Sequence, residues 1–167
     1  MEKRNLKNGE ISLLGFGFMR LPCKDGHKDI DSAQATEMVD YALDRGVNYF
    51  DTAYMYHEGS SESFAGESLS RHNRSDFYLA TKMPLMMIKT QDDVERIFNE
   101  QLKKCKTEYF DFYLLHNINR AHLPIAEQNK VYEQLKEKQK RGLIRHLGFS
   151  FHDRPELLRQ VTGKYDW

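Results

Sequence analysis

The sequence predicts an α/β fold in which short parallel strands alternate with helices. Across the 167 residues, runs rich in β-branched and aromatic residues alternate with segments whose apolar residues recur at helical spacing. That is the pattern of repeated βα units and a parallel sheet, not of a bundle or a sandwich. The strand-like runs are also short, apolar, and end in polar residues.

In chain order, residues 4–13 place Asn8-Gly9 between two strand-like stretches. Asn-Gly is the preferred pair for a type I′ turn, so a small β-hairpin is expected before the repeats. Five strands follow, at residues 13–17, 47–51, 77–82, 110–116 and 147–150. Asp31 and Gln34 form a capping-box-like start to a helix through Met38, Val39, Ala42 and Leu43, which ends near Gly46. Residues 60–69 make a shorter helix. Thr90 and Asp93 open the next, with Val94, Ile97, Phe98, Leu102 and Cys105 on one buried stripe. Another runs through Val131, Tyr132 and Leu135 into a cationic last turn before Gly142. Asp153, Pro155 and Glu156 start the last, through Leu157, Leu158 and Val161. Residues 136–141, rich in Lys and Glu, read as a solvated helical face.

Composition narrows the function. Hydrophobic residues make up 40% of the chain, enough for one domain over residues 1–167 with its own core. The 25 basic and 25 acidic side chains cancel, leaving no global field to attract nucleic acid or an anionic membrane. No apolar run approaches the roughly 20 residues that cross a bilayer, and the opening Met1-Glu2-Lys3-Arg4-Asn5 leads into a polar segment, so the chain reads as cytoplasmic. Cys23 and Cys105 match neither a CxxC pair nor a zinc spacing and read as free thiols of a reducing compartment, Cys23 with no evident activating neighbour. The histidines at 27, 57, 72, 116, 122, 146 and 152 form no HExxH pattern, and no metal site is expected. All but His116 read as surface or packing residues, with His57, His146 and His152 facing solvent.

Parallel sheets of this kind bind ligands at the carboxyl ends of their strands. Asp51, Lys82 and His116 end three successive strands and so share one rim. A lysine ending an apolar strand is poorly solvated unless paired, and Asp51 is the available counter-charge. Tyr56, in the loop over that rim, can place a phenol beside the ammonium, which stabilises its phenolate and makes it a better proton donor. Tyr54 is the runner-up donor. A ring N–H of His116 would polarise or orient a carbonyl.

This set of acid, tyrosine, lysine and histidine resembles the tetrad of the aldo-keto reductases. The resemblance continues in Leu14-Gly15-Phe16-Gly17-Phe18-Met19-Arg20-Leu21-Pro22, Asp51-Thr52-Ala53-Tyr54-Met55-Tyr56, Gly59-Ser60-Ser61-Glu62, Thr81-Lys82, Leu114-Leu115-His116 and Gly148-Phe149-Ser150. It implies a (β/α)8 TIM-barrel type fold and reduction of a small-molecule aldehyde or ketone by hydride from NADP(H) or NAD(H). It also assigns roles. Tyr56 is the general acid, Lys82 acidifies it, Asp51 holds Lys82, and His116 positions the carbonyl. Ser150 matches a contact to the nicotinamide carboxamide, with Phe151 where the family often has Asn. Met19 and Arg20 fall beside the nicotinamide ribose, with Phe18 in place of a frequent threonine, and Asp51 borders the cofactor too. The Met19-Arg20-Leu21-Pro22 opening and Phe149-Ser150-Phe151-His152-Asp153 resemble a bacterial subgroup whose longer members carry a cysteine-rich, ferredoxin-like tail.

Such a barrel takes about 250 residues, so the sequence is expected to hold its N-terminal part, about five βα units after the hairpin. The later strands and their cofactor-binding loops are not in it, which weakens the expected affinity for the nicotinamide cofactor. An open sheet edge and an uncovered interior face predict self-association or a partner chain. The competing expectation is an inactive truncated barrel, acting as an assembly partner or a nicotinamide-sensing regulatory module.

Overall fold

The computed structural model describes residues 1–6, 9–24 and 29–167. Strands β1 (Lys3–Leu6) and β2 (Gly9–Ser12) pair antiparallel, as expected of a hairpin. Their register matches Leu6 with Gly9, so Gly9 belongs to the second strand and not to the turn. Asn8, the other half of the expected turn pair, lies outside the described residues, as does His27.

A second sheet holds β3 (Phe16–Gly17), β4 (Tyr49–Asp51), β5 (Tyr78–Pro84), β6 (Phe110–Ile118) and β7 (Ile144–Phe151), all parallel and adjacent in chain order. Each predicted strand is present within a few residues. Helix α1 (Ser32–Asp44) lies between β3 and β4, α2 (Ser61–Leu69) between β4 and β5, and α3 (Gln91–Lys104) between β5 and β6. Two helices, α4 (His122–Gln128) and α5 (Val131–Lys140), separate β6 from β7, and α6 (Pro155–Lys164) follows β7. This is the βα alternation of an open arc of barrel.

Local punctuation sets the helix ends. The Asp31 carboxylate accepts from the Gln34 N–H at 3.2 Å at the start of α1, and Gly46 takes φ +83° just past its end, a conformation that favours glycine. Asp93 accepts from the Thr90 N–H at 2.9 Å at the start of α3. Two expectations need correcting. Asp153 does not cap α6. Arg154 occupies that position, while the Asp153 carboxylate accepts from the N–H groups of Arg120 and Arg154. Nor is residues 136–141 a wholly solvated face, because Lys138 is buried, paired with Glu95 of α3 and lying 4.7 Å from the Phe98 ring centroid.

The alternation of side chains along each strand divides the sheet into two unlike faces. Outward-facing Phe50, Leu79, Thr81, Met83, Tyr113 and Leu115 are buried beneath the helices, against residues such as Val39, Ile97 and Phe98. Inward-facing Tyr49, Tyr78, Phe112 and His146 are only half-buried. They form a row in which the Phe112 ring lies 5.3 Å from Tyr49, 6.0 Å from Tyr78 and 4.8 Å from His146, with the last pair stacked. His146 therefore packs on an aromatic ring instead of facing solvent. Burial, with the Asp51 charge nearby, pushes the Tyr49 phenol up to about 12. Among the described residues, no helix is long and apolar enough to cross a membrane.

Candidate active site

The register of the sheet brings the polar residues of the rim together. Asp51 pairs with Ala80, Lys82 with Leu114, and Pro84 with His116. From strand to strand the rim residue thus lies two positions further along, which is the stagger that tilts strands in a barrel. The even spacing keeps Asp51, Lys82 and His116 on the inward face.

Lys82 is buried and its ammonium has three acceptors. It donates to Asp51 Oδ1 at 2.6 Å, to the Thr52 carbonyl at 2.8 Å and to the Tyr56 hydroxyl oxygen at 3.1 Å. An ammonium has three N–H donors, so all of them are engaged. The Tyr56 oxygen is an acceptor in this contact, which leaves its own hydrogen free to point elsewhere. Burial raises the Asp51 carboxyl above its usual range against the lowering influence of Lys82.

The loop after β4 has the shape needed to return Tyr56 over Lys82. Thr52 N–H donates to the Ala80 carbonyl at 2.9 Å and Tyr56 N–H to the Ala53 carbonyl at 3.2 Å. His57 and Glu58 then take left-handed backbone angles, φ +49° and +53°, which non-glycine residues adopt only at a cost. The Tyr56 ring centroid lies 4.7 Å from Lys82 Nζ and 6.0 Å from the His116 ring, edge to face at 86°. His116 Nδ1 is buried without a hydrogen-bond partner. Burial, with the Lys82 charge second, lowers its pKa to about 4, so the ring is neutral at pH 7.

The other expected residues divide. The Ser150 hydroxyl oxygen accepts from the Asn117 N–H at 2.7 Å, and Asn117 itself is left-handed at φ +59°. Met19 and Arg20 are exposed on the single helical turn that follows β3. Tyr54 is directed away from the rim. Its hydroxyl donates to Glu100 Oε2 on α3 at 3.0 Å, and burial followed by Glu100 raises its phenol. His152 is exposed as expected. His57 is not, because its Nε2 accepts from the Leu21 N–H at 3.2 Å, and its Nδ1 lies 3.7 Å from Cys23 Sγ. His57 is thus a polar neighbour of Cys23 that the sequence did not place there.

A buried polar network behind the rim was not foreseen. Thr52 and Ser61 share a hydroxyl hydrogen bond at 2.8 Å, and Glu62 Oε1 accepts from Thr81 Oγ1 at 2.6 Å and from Gln101 Nε2 at 2.5 Å. The signal for it lies in α3. Gln101 falls on the same stripe as Val94, Phe98 and Cys105, and a polar residue there must find a buried partner.

The aldo/keto reductase family model matches residues 13–167. The chain is 29% identical to the oxidoreductase YqkF of Bacillus subtilis (strain 168), over 98% of this chain and 53% of that protein. It is 27% identical to the aldo-keto reductase yakc, NADP(+), of Schizosaccharomyces pombe (strain 972 / ATCC 24843), over 88% and 44%. Among solved structures, an aldo-keto reductase from Bacillus halodurans in its holo form superposes with a TM-score of 0.80 at 28% identity, covering 99% of this chain and 55% of that one. The chain spans about half the length of the curated relatives it matches. The match runs in sequence from residue 13 onward and in backbone over nearly the whole chain, and the chain belongs to the aldo/keto reductase family.

Proposed function

We propose that residues 1–167 are the N-terminal part of a barrel domain and carry the proton-transfer site of an NAD(P)H-dependent carbonyl reductase, with Tyr56 as general acid. The observation that carries this reading is the saturation of Lys82. With its three N–H groups committed to Asp51, Thr52 and the Tyr56 oxygen, the phenol keeps its hydrogen for a carbonyl oxygen in the mouth. When that proton leaves, the negative charge appears next to a fixed ammonium, the arrangement that lowers the cost of charge development. Asp51 holds the ammonium in place. His116 is neutral and no acceptor holds a hydrogen on its Nδ1; the tautomer with the hydrogen on Nε2 supplies a second donor to the same oxygen.

The cofactor supplies hydride to the carbonyl carbon when bound. Residues of this chain fit its nicotinamide end. Because Ser150 Oγ accepts from Asn117, its own hydrogen is free to donate to a carboxamide oxygen, while Met19 offers apolar surface and Arg20 a cation beside it. Asp51 borders the same space. The name of the Schizosaccharomyces pombe relative favours NADP(H) over NAD(H). The substrate class is a small aldehyde or ketone.

A second reading rests on a specific observation. The sheet ends at β7 on one side and β3 on the other, and its inward aromatic row is half-buried, as in a part that acts only once assembled with a further chain or copy. Titration with NADPH, followed by nicotinamide fluorescence and then by turnover of a generic aldehyde, separates the two. Saturable binding with turnover supports the reductase reading. A cooperatively folded chain that shows neither supports the assembly reading.

A further inference from the structure

We propose that the first turn of α2 is a clamp that sets the position of Lys82, with Glu62 as a positioning residue. The inference rests on the carbonyl-reductase reading for its purpose, though not for its geometry. Ser61 and Glu62 are fully buried and tie to three successive strands at once. The Ser61 hydroxyl donates to the Phe18 carbonyl just past β3 at 3.3 Å and shares a hydrogen bond with Thr52 just past β4. Glu62 takes the hydroxyl of Thr81 on β5.

Both arms lead to the ammonium. Thr52, held by Ser61, presents the carbonyl that accepts from Lys82 Nζ. Thr81, held by Glu62, directly precedes Lys82 and points to the opposite face of the strand. Gln101 completes this arm, since its Nε2 donates to Glu62 Oε1 and to the Lys82 carbonyl at 3.0 Å. Its Oε1 accepts from the buried Tyr113 hydroxyl. The peptide carrying Lys82 is therefore fixed from behind while its side chain is fixed in front.

Glu62 performs this without a cation. Among the described residues no Lys or Arg forms an ion pair with it, and Oε2 is buried and partnerless. Burial raises its carboxyl, and Lys104 and Glu100 of α3 act on it only through space. A carboxyl used only to accept two hydrogen bonds is replaceable by an amide of the same shape.

The test is 13C NMR of the 167-residue chain labelled at tyrosine Cζ, with the Tyr56 signal assigned by its loss in Tyr56→Phe. Lys82→Met defines the signal of a Tyr56 without its ammonium. Thr81→Val is expected to move the Tyr56 signal toward the Lys82→Met position, whereas Glu62→Gln leaves it in place. A cooperatively melting Thr81→Val chain with an unmoved signal overturns the proposal. So does a Glu62→Gln chain displaced as far as Lys82→Met. If Thr81→Val fails to fold, Ser61→Ala cuts the other arm and is judged by the same signal. The measurement needs neither cofactor nor turnover, so an inactive chain with a responsive Tyr56 signal counts against the reductase reading and not against the clamp.

Discussion

His116 is the clearest case of a residue whose role depends on what surrounds it. Its pKa of about 4 lies below the value near 6.5 of an unfolded histidine. Between those values the unfolded chain binds the extra proton, so this contribution to stability is complete above pH 6.5 and is lost as pH falls toward 4. With partial exposure discounted it amounts to about 2 kcal/mol. Urea denaturation of the chain and its His116→Gln variant at pH 7 and pH 4.5 checks this. The wild type is expected to lose more stability than the variant on acidification, and parallel losses would refute the neutral ring. Asp51, Lys82 and His116 were legible in the sequence because they lie toward the ends of recognisable strands, and Tyr56 because it follows one, and strand ends define one rim. Glu62 and Gln101 were not, because their partners come from α2, α3, β5 and β6, and only the folded chain brings those together. Lys138 misled for a related reason: a lysine in a charged run gives no sign that its ammonium lies over the Phe98 ring.

Elements were read well wherever caps and periodicity agreed. Helix α3 begins where Thr90 and Asp93 place it, and Thr90→Ala is expected to cost about 1 kcal/mol in thermal or urea denaturation. An unchanged melting curve would show that the cap is redundant. Helix α4 escaped notice because it is seven residues long, carries Pro124, and depends on Asn119, whose side-chain oxygen accepts from the Ala121 and His122 N–H groups at 2.9 Å. Packing between α2 and α3 depends on Gly66. A Cβ added there would meet the Lys104 carbonyl oxygen at 2.2 Å and the Cys105 Cα at 2.9 Å, both backbone and unable to yield cheaply. Gly66→Ala is therefore expected to destabilise by about 2 kcal/mol through overpacking, and because α2 carries the clamp, the Tyr56 signal should move with it. Full stability in this variant would mean that the two helices can separate without loss.

At the scale of the whole molecule, the sheet of the described residues ends at β3 on one side and β7 on the other, and its inward face is half-buried. Edge strands with free N–H and C=O groups are templates for further pairing, and a row of Tyr49, Tyr78, Phe112 and His146 adds apolar area beside them. The chain alone is expected to associate, with a mass by light scattering that rises with concentration. A constant monomer mass across the range would exclude association through these surfaces. The parallel order of the strands was legible from the βα alternation. The division into a helix-covered outer face and an aromatic inner row was not, since continuous apolar runs do not declare which residues face which way.

The most direct measurement is NADPH oxidation with a generic aldehyde, run side by side on the chain and on Tyr56→Phe with melting curves for both. A phenol that delivers its proton from beside Lys82 predicts a loss of at least about 100-fold in turnover with folding unchanged. Equal turnover by the two proteins, or none by either, would contradict it.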